Sequence, residues 1–71
     1  MLVGVERTYN IVGMTCDHCV AAVTEELASI PGVTGVDVDL ATGAAVVRSD
    51  GPVEDEAVRS AVEEAGYAVA P

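Results

Sequence analysis

Apolar and polar residues alternate from Val5 to Val12, with Val5, Tyr9 and Ile11 sharing one side with the lone charge of Arg7. A period of two marks a strand with one buried face. Gly13-Met14-Thr15 interrupts the alternation, and the period then lengthens. Val20, Val23, Leu27 and Ile30 recur at spacings of three and four, which predicts a helix. Pro31-Gly32 ends it, because the residue before a proline is pushed out of helical angles. Alternation returns over residues 33–40, where Val36, Val38 and Leu40 oppose Asp37 and Asp39. Ala41-Thr42-Gly43 supplies a short turn, and Ala44–Ser49 reads as the return strand of a hairpin.

Asp50-Gly51-Pro52 opens a second helix, with Glu54, Asp55 and Glu56 crowded into its first turn, where the helix dipole favours negative charge. Ala57, Val58, Ala61, Val62 and Ala65 form its apolar stripe. Arg59 lies four residues from both Asp55 and Glu63, a spacing that predicts surface ion pairs. Gly66 is a natural C-cap, and residues 67–69 make a last short strand. Strand, helix, strand, strand, helix, strand is a twofold repeat of one strand–helix–strand unit. It predicts an α+β fold, the ferredoxin-like βαββαβ sandwich, with a four-stranded antiparallel sheet and two helices on one face. No linker or low-complexity tract divides the 71 residues, so residues 1–71 read as a single domain.

Composition narrows the function. There is no Trp or Phe, and Tyr9 and Tyr67 are the aromatics, so the core is built from Val, Ala, Leu and Ile. So small a domain buries a modest share of its surface and has little material to wall a deep cavity for an organic substrate, which counts against an enzyme. The net charge is −9, with Arg7, Arg48 and Arg59 as the only basic residues besides His18. Such a surface repels phosphate backbones and anionic lipid, so neither nucleic acid nor a membrane surface is an expected partner; a protein with a basic face fits better, and solubility alone explains a charge spread along the whole chain at least as well. No segment approaches the ~18 apolar residues needed to span a bilayer. The start Met1-Leu2-Val3-Gly4-Val5-Glu6-Arg7 places a charge pair before any signal-peptide core could form, which predicts a cytoplasmic chain. In that compartment a close cysteine pair points to metal or redox chemistry before a structural staple.

That pair is Cys16 and Cys19, in Met14-Thr15-Cys16-Asp17-His18-Cys19 at the start of the first helix. The second helix start carries acids and no cysteine, so any metal site is single. Cysteines three apart, one in the loop and one in the first helical turn, can aim both sulfurs at one centre. The free N–H groups of the helix start favour thiolate over thiol. Soft thiolates select a soft ion such as Cu(I), whereas a closed zinc site wants four ligands. Asp17 is explained by the helix dipole alone. His18 reads as an exposed residue that modulates the thiolates, because adjacent helix-start positions diverge.

Gly13-Met14-Thr15-Cys16-x-x-Cys19, following a strand and opening a helix, resembles the heavy-metal-associated domain family, and within it the free-standing bacterial copper chaperones of the CopZ type. The resemblance extends over residues 5–69 and includes Glu64-Ala65-Gly66-Tyr67. It implies Cys16 and Cys19 as Cu(I) ligands, Met14 as a buried core residue, and Tyr67 in a loop facing the metal. Thr15 and Tyr67 resemble the copper branch more than the zinc branch. The resemblance further implies transfer of Cu(I) to the metal-binding domain of a copper-exporting P-type ATPase, with a copper-responsive regulator as a second partner. The apo form is then a monomer, with a copper-bridged dimer open to the loaded form.

Three other readings compete. A thiol–disulfide oxidoreductase would use the same cysteines, but such folds usually need a longer chain and a Trp or Pro beside them. A carrier of mercury, zinc or cadmium would use the same scaffold. A detached domain of a copper ATPase would look alike; a chain running from Met1 to Pro71 with no linker favours the free-standing form.

Overall fold

In the computed structural model, which describes residues 4–70, the strands and helices follow the sequence order expected of them: β1 (Val5–Val12), α1 (Asp17–Ala28), β2 (Val33–Val38), β3 (Ala44–Ser49), α2 (Asp55–Glu64) and β4 (Ala68–Val69). Met1-Leu2-Val3 and Pro71, which entered the readings of compartment and of a free-standing chain, lie outside the described residues. The strands form one antiparallel sheet in the order β2-β3-β1-β4.

Alternation decides the faces. Ile11, Ala45, Val47 and Ser49 are buried on one side of the sheet, against Val23 and Leu27 of α1 and Val58, Ala61 and Val62 of α2. Both helices therefore cover the same face, and the fold is the ferredoxin-like sandwich. Each fully buried Val or Leu is worth about 1.5–3 kcal/mol, so these few aliphatic side chains supply most of the driving force. Ser49, the buried polar residue, donates its hydroxyl to the Gly51 carbonyl at 2.6 Å. On the open face Arg48 of β3 ties its neighbours together. Its Nε lies 3.3 Å from Glu6 Oε2 of β1 and its Nη1 2.8 Å from Asp37 Oδ2 of β2. These groups are half exposed, where an ion pair adds under about 1 kcal/mol.

Three local expectations are corrected. β2 ends at Val38, two residues short of Leu40, because Asp39 starts the turn: its carboxylate accepts the Ala41 N–H at 2.9 Å and its carbonyl accepts the Gly43 N–H at 2.8 Å. Tyr67 is not part of β4, since its N–H caps α2 by donating to the Val62 carbonyl at 3.0 Å. Arg59 makes no ion pair among the described residues. Asp55 instead turns to β1, accepting from Tyr9 Oη at 2.9 Å and Arg7 Nη1 at 3.2 Å. Long side chains from a strand reached the carboxylate that helical spacing had assigned to Arg59.

At one end of the sandwich the close of β1 meets three other elements. Ile11 and Val12 pair with Val69 and Ala68, and the Ile11 N–H donates to the Gly43 carbonyl at 2.7 Å. The first turn of α1, the α2–β4 loop and the β2–β3 turn are thereby gathered at this end.

Candidate metal centre

Gly13 leaves β1 with φ at +102°, a left-handed angle that disfavours any side chain. A Cβ there would also stand 3.3 Å from the Tyr67 ring. The reversal carries the chain through Met14 and Thr15 to Cys16, the N-cap of α1, whose backbone is extended. The Cys16 carbonyl accepts the N–H groups of Cys19 at 3.0 Å and Val20 at 3.3 Å, which begins the helix. Cys16 is exposed, whereas Cys19, one turn in, is 8% exposed. Both thiols are free, and their sulfurs lie 3.5 Å apart.

The Cys19 thiol is pulled down from 9.0 to about 6. The chief cause is the Thr15 backbone N–H donating to the sulfur, followed by the Tyr67 hydroxyl; burial opposes them, and the Cys16 thiol and N–H add further donation. Tyr67 is raised in return, first by that bond to Cys19 and then by its own burial. Cys19 is thus largely thiolate at neutral pH, and an N–H-rich helix start is the kind of setting that produces this.

Tyr67 is delivered by the end of α2. Gly66 takes φ of +96°, its N–H donates to the Glu63 carbonyl at 2.9 Å, and the Tyr67 N–H closes the wider turn onto Val62. This pair of bonds is the Schellman termination, which glycine permits. It holds the half-buried ring between Gly13 and Cys19. The structure therefore brings Cys16, Cys19, Thr15 and Tyr67 together, with Thr15 Oγ1 3.8 Å from Cys19 Sγ. Met14 is half-buried and packs against the core cluster, partly short of the full burial expected of it. His18 is exposed, and among the described residues no three His, Cys, Asp or Glu side chains converge closely enough to hold a metal ion. What converges here is a pair of sulfurs. The sequence named Thr15 as a modulating residue only through the family resemblance, because its contribution lies in the main chain, which any residue but proline supplies.

Residues 8–68 match the heavy-metal-associated domain. The chain belongs to that family. This heavy-metal-associated domain is 41% identical over 65 residues to the copper chaperone CopZ of Staphylococcus aureus strain Newman, covering 90% of this chain and 96% of that protein. It is 44% identical over 64 residues to copper-transporting ATPase 2 of Rhizobium meliloti, covering 90% of this chain but 8% of the ATPase. A solved structure of a CopZ metallochaperone matches it with a TM-score of 0.86 at 37% identity, covering 93% of this chain and 100% of that one. No helix of the described residues is long and apolar enough to cross a membrane.

Proposed function

We propose that this domain is a copper(I) carrier of the cytoplasm, holding one ion between Cys16 and Cys19 and passing it to a related Cys-x-x-Cys domain of a copper-exporting P-type ATPase. The observation that carries the reading is the sulfur pair, 3.5 Å apart, with no third His, Cys, Asp or Glu side chain gathered around it among the described residues. Two soft anionic donors suit a soft monovalent ion, and a hard or four-coordinate ion would find too few ligands. Cys19 is the anchored ligand, since the Thr15 N–H and Tyr67 hydroxyl favour its thiolate before the ion arrives. Cys16 is the exposed one, so a partner thiolate reaches the copper from its side. It adds as a third ligand before one of the original two leaves, and copper is never free.

Anaerobic Cu(I) titration against a competing chelator, with mass measurement, tests this reading. The reduced protein takes up one Cu(I) per chain, and Cys16→Ser or Cys19→Ser abolishes tight binding. Unchanged affinity in either variant overturns it. The similarity to the Rhizobium meliloti ATPase supports a second reading, a metal-binding domain within a longer transporter. The two give one site chemistry, and the size of the native polypeptide in cell extract separates them.

A further inference from the structure

Asp50-Gly51 is the one place in the chain where an Asp or Asn precedes a glycine. It lies just past the end of β3, where pairing with β1 stops at Val5 and Ser49, and before α2 begins. Two hydrogen bonds hold this step from either side. The Asp50 N–H donates to the Gly32 carbonyl at 2.9 Å, and the buried Ser49 hydroxyl donates to the Gly51 carbonyl at 2.6 Å. The peptide group between those anchors carries no bond of its own: among the described residues neither the Asp50 carbonyl nor the Gly51 N–H has a hydrogen-bond partner. Asp50 is exposed, and its carboxylate enters no ion pair there, since Arg7 and Arg48 are taken by other acids. Nothing crowds Gly51, because a methyl placed on its Cα would meet no atom within 4 Å. The Asp50 carboxyl carbon can therefore swing onto the next nitrogen with no side chain to shield it.

We infer that Asp50-Gly51 is a modification site, at which the folded chain converts spontaneously to isoaspartate. The Gly51 nitrogen attacks Cγ of the protonated Asp50 carboxyl. The N–Cγ bond forms, a Cγ–O bond breaks, and the hydroxyl leaves as water with the amide proton. Water then opens the five-membered imide at the Asp50 main-chain carbonyl carbon, restoring the atoms lost and routing the chain through Cβ and Cγ. Composition and redox state are unchanged, and water is the only co-reactant. The new route adds one atom to the chain between the two anchors. The Ser49–Gly51 bond gives way, and a buried hydroxyl loses its acceptor. All of β1 lies between this step and the metal loop, so the inference is independent of copper.

Reduced apo protein aged for weeks at neutral pH is labelled with protein isoaspartyl methyltransferase and tritiated S-adenosylmethionine, which esterifies the α-carboxyl that isoaspartate exposes. Electron-transfer fragmentation of the unlabelled sample locates the altered residue. The expected result is label that grows with time, with the change at Asp50 and not at Asp17, Asp37, Asp39 or Asp55. Gly51→Ala brings the label to background; Gly51 is not left-handed and has room for the methyl, so this variant folds. Cys16→Ser/Cys19→Ser ages as wild type does, which separates failure here from failure of the copper reading. The isoaspartyl fraction, isolated by reversed-phase chromatography and refolded, shows an unfolded population about tenfold larger in urea titration. Three results would each overturn the inference: label absent from the folded protein while the urea-unfolded chain acquires it, equal label in Gly51→Ala, or an unchanged urea midpoint in the isoaspartyl fraction.

Discussion

The two cysteines differ in kind although the sequence writes them alike. Cys16 is exposed at the N-cap, while Cys19 is inside the first turn and accepts from Thr15, Tyr67 and Cys16. A thiol held below its ordinary value links fold stability to pH. The folded-state value is the lower one, so the stabilisation is complete above 9.0 and declines as pH falls through about 6. Urea unfolding of the apo protein is therefore expected to show stability rising between pH 6 and pH 9, with the rise flattened in Cys19→Ala. A flat wild-type profile, or an unchanged slope in the variant, would count against the thiolate assignment. Tyr67 opposes this only above its own ordinary value of 10.0, since its shift is upward. Removing its hydroxyl in Tyr67→Phe takes away the second donor to Cys19 and leaves the first. The thiolate absorbance then titrates at higher pH, and Cu(I) affinity at neutral pH falls by about tenfold or less. A shift as large as complete loss of the low-pH thiolate would mean that Tyr67, not Thr15, is the principal donor.

Elements were the most legible scale, and their ends the least. Both helices, β1 and β2 followed from periodicity because each buries one face, and burial forces a repeat of two or 3.6; β3 and β4 followed from the turn before Ala44 and the cap at Gly66. The ends at Leu40 and Tyr67 did not follow, since they are decided by hydrogen bonds of Asp39 and Gly66 that leave no mark on hydrophobic spacing. The same gap hid the ion pair of Asp55, whose partners Arg7 and Tyr9 come from a strand far away in sequence. Within the proposed metal centre, Cys16 and Cys19 were singled out by their spacing and Tyr67 only by family resemblance. Gly66 joins element to site, because the left-handed turn that stops α2 also aims Tyr67. Gly66→Ala is expected to cost about 1 kcal/mol in urea unfolding and to raise the Cys19 titration midpoint together with it. A stability loss with an unmoved midpoint would show that Tyr67 is positioned by something else. Leu27 is fully buried at the centre of the core, and truncation to alanine there costs about 3–5 kcal/mol. A chain of this length has about 4–10 kcal/mol in all, so Leu27→Ala removes a large share of it and raises the globally unfolded population about a hundredfold or more, which amide exchange reads.

Across the whole molecule the charge of −9 is not offset locally at the metal end. Arg7 and Arg48 are held by Asp55, Glu6 and Asp37, while Asp17, which follows Cys16 in the chain, and Asp39 have no cationic partner among the described residues. Net charge could be counted from the sequence; this placement could not, because it depends on which carboxylates the strands bring to which arginine. On the proposed function, loading adds to the imbalance, since Cu(I) between two thiolates carries a net negative charge. A carrier of this kind meets a basic acceptor with attraction and an acidic one with repulsion, and such forces act mainly on the rate of encounter. The screening length falls from about 10 Å at 0.1 M salt to about 3 Å at 1 M. Handover to a basic Cys-x-x-Cys domain should therefore slow as salt is added, while handover to an acidic one should quicken. The equilibrium between donor and acceptor should stay within a small factor of even at every salt concentration, because in the proposed transfer both ends bind copper through a Cys-x-x-Cys pair. Stopped-flow mixing of loaded protein with each apo acceptor, in the presence of a Cu(I) chelator, reads rate and equilibrium together. Copper that arrives only at the chelator-limited release rate, whatever the salt and whichever acceptor is used, would make the protein a store and not a carrier.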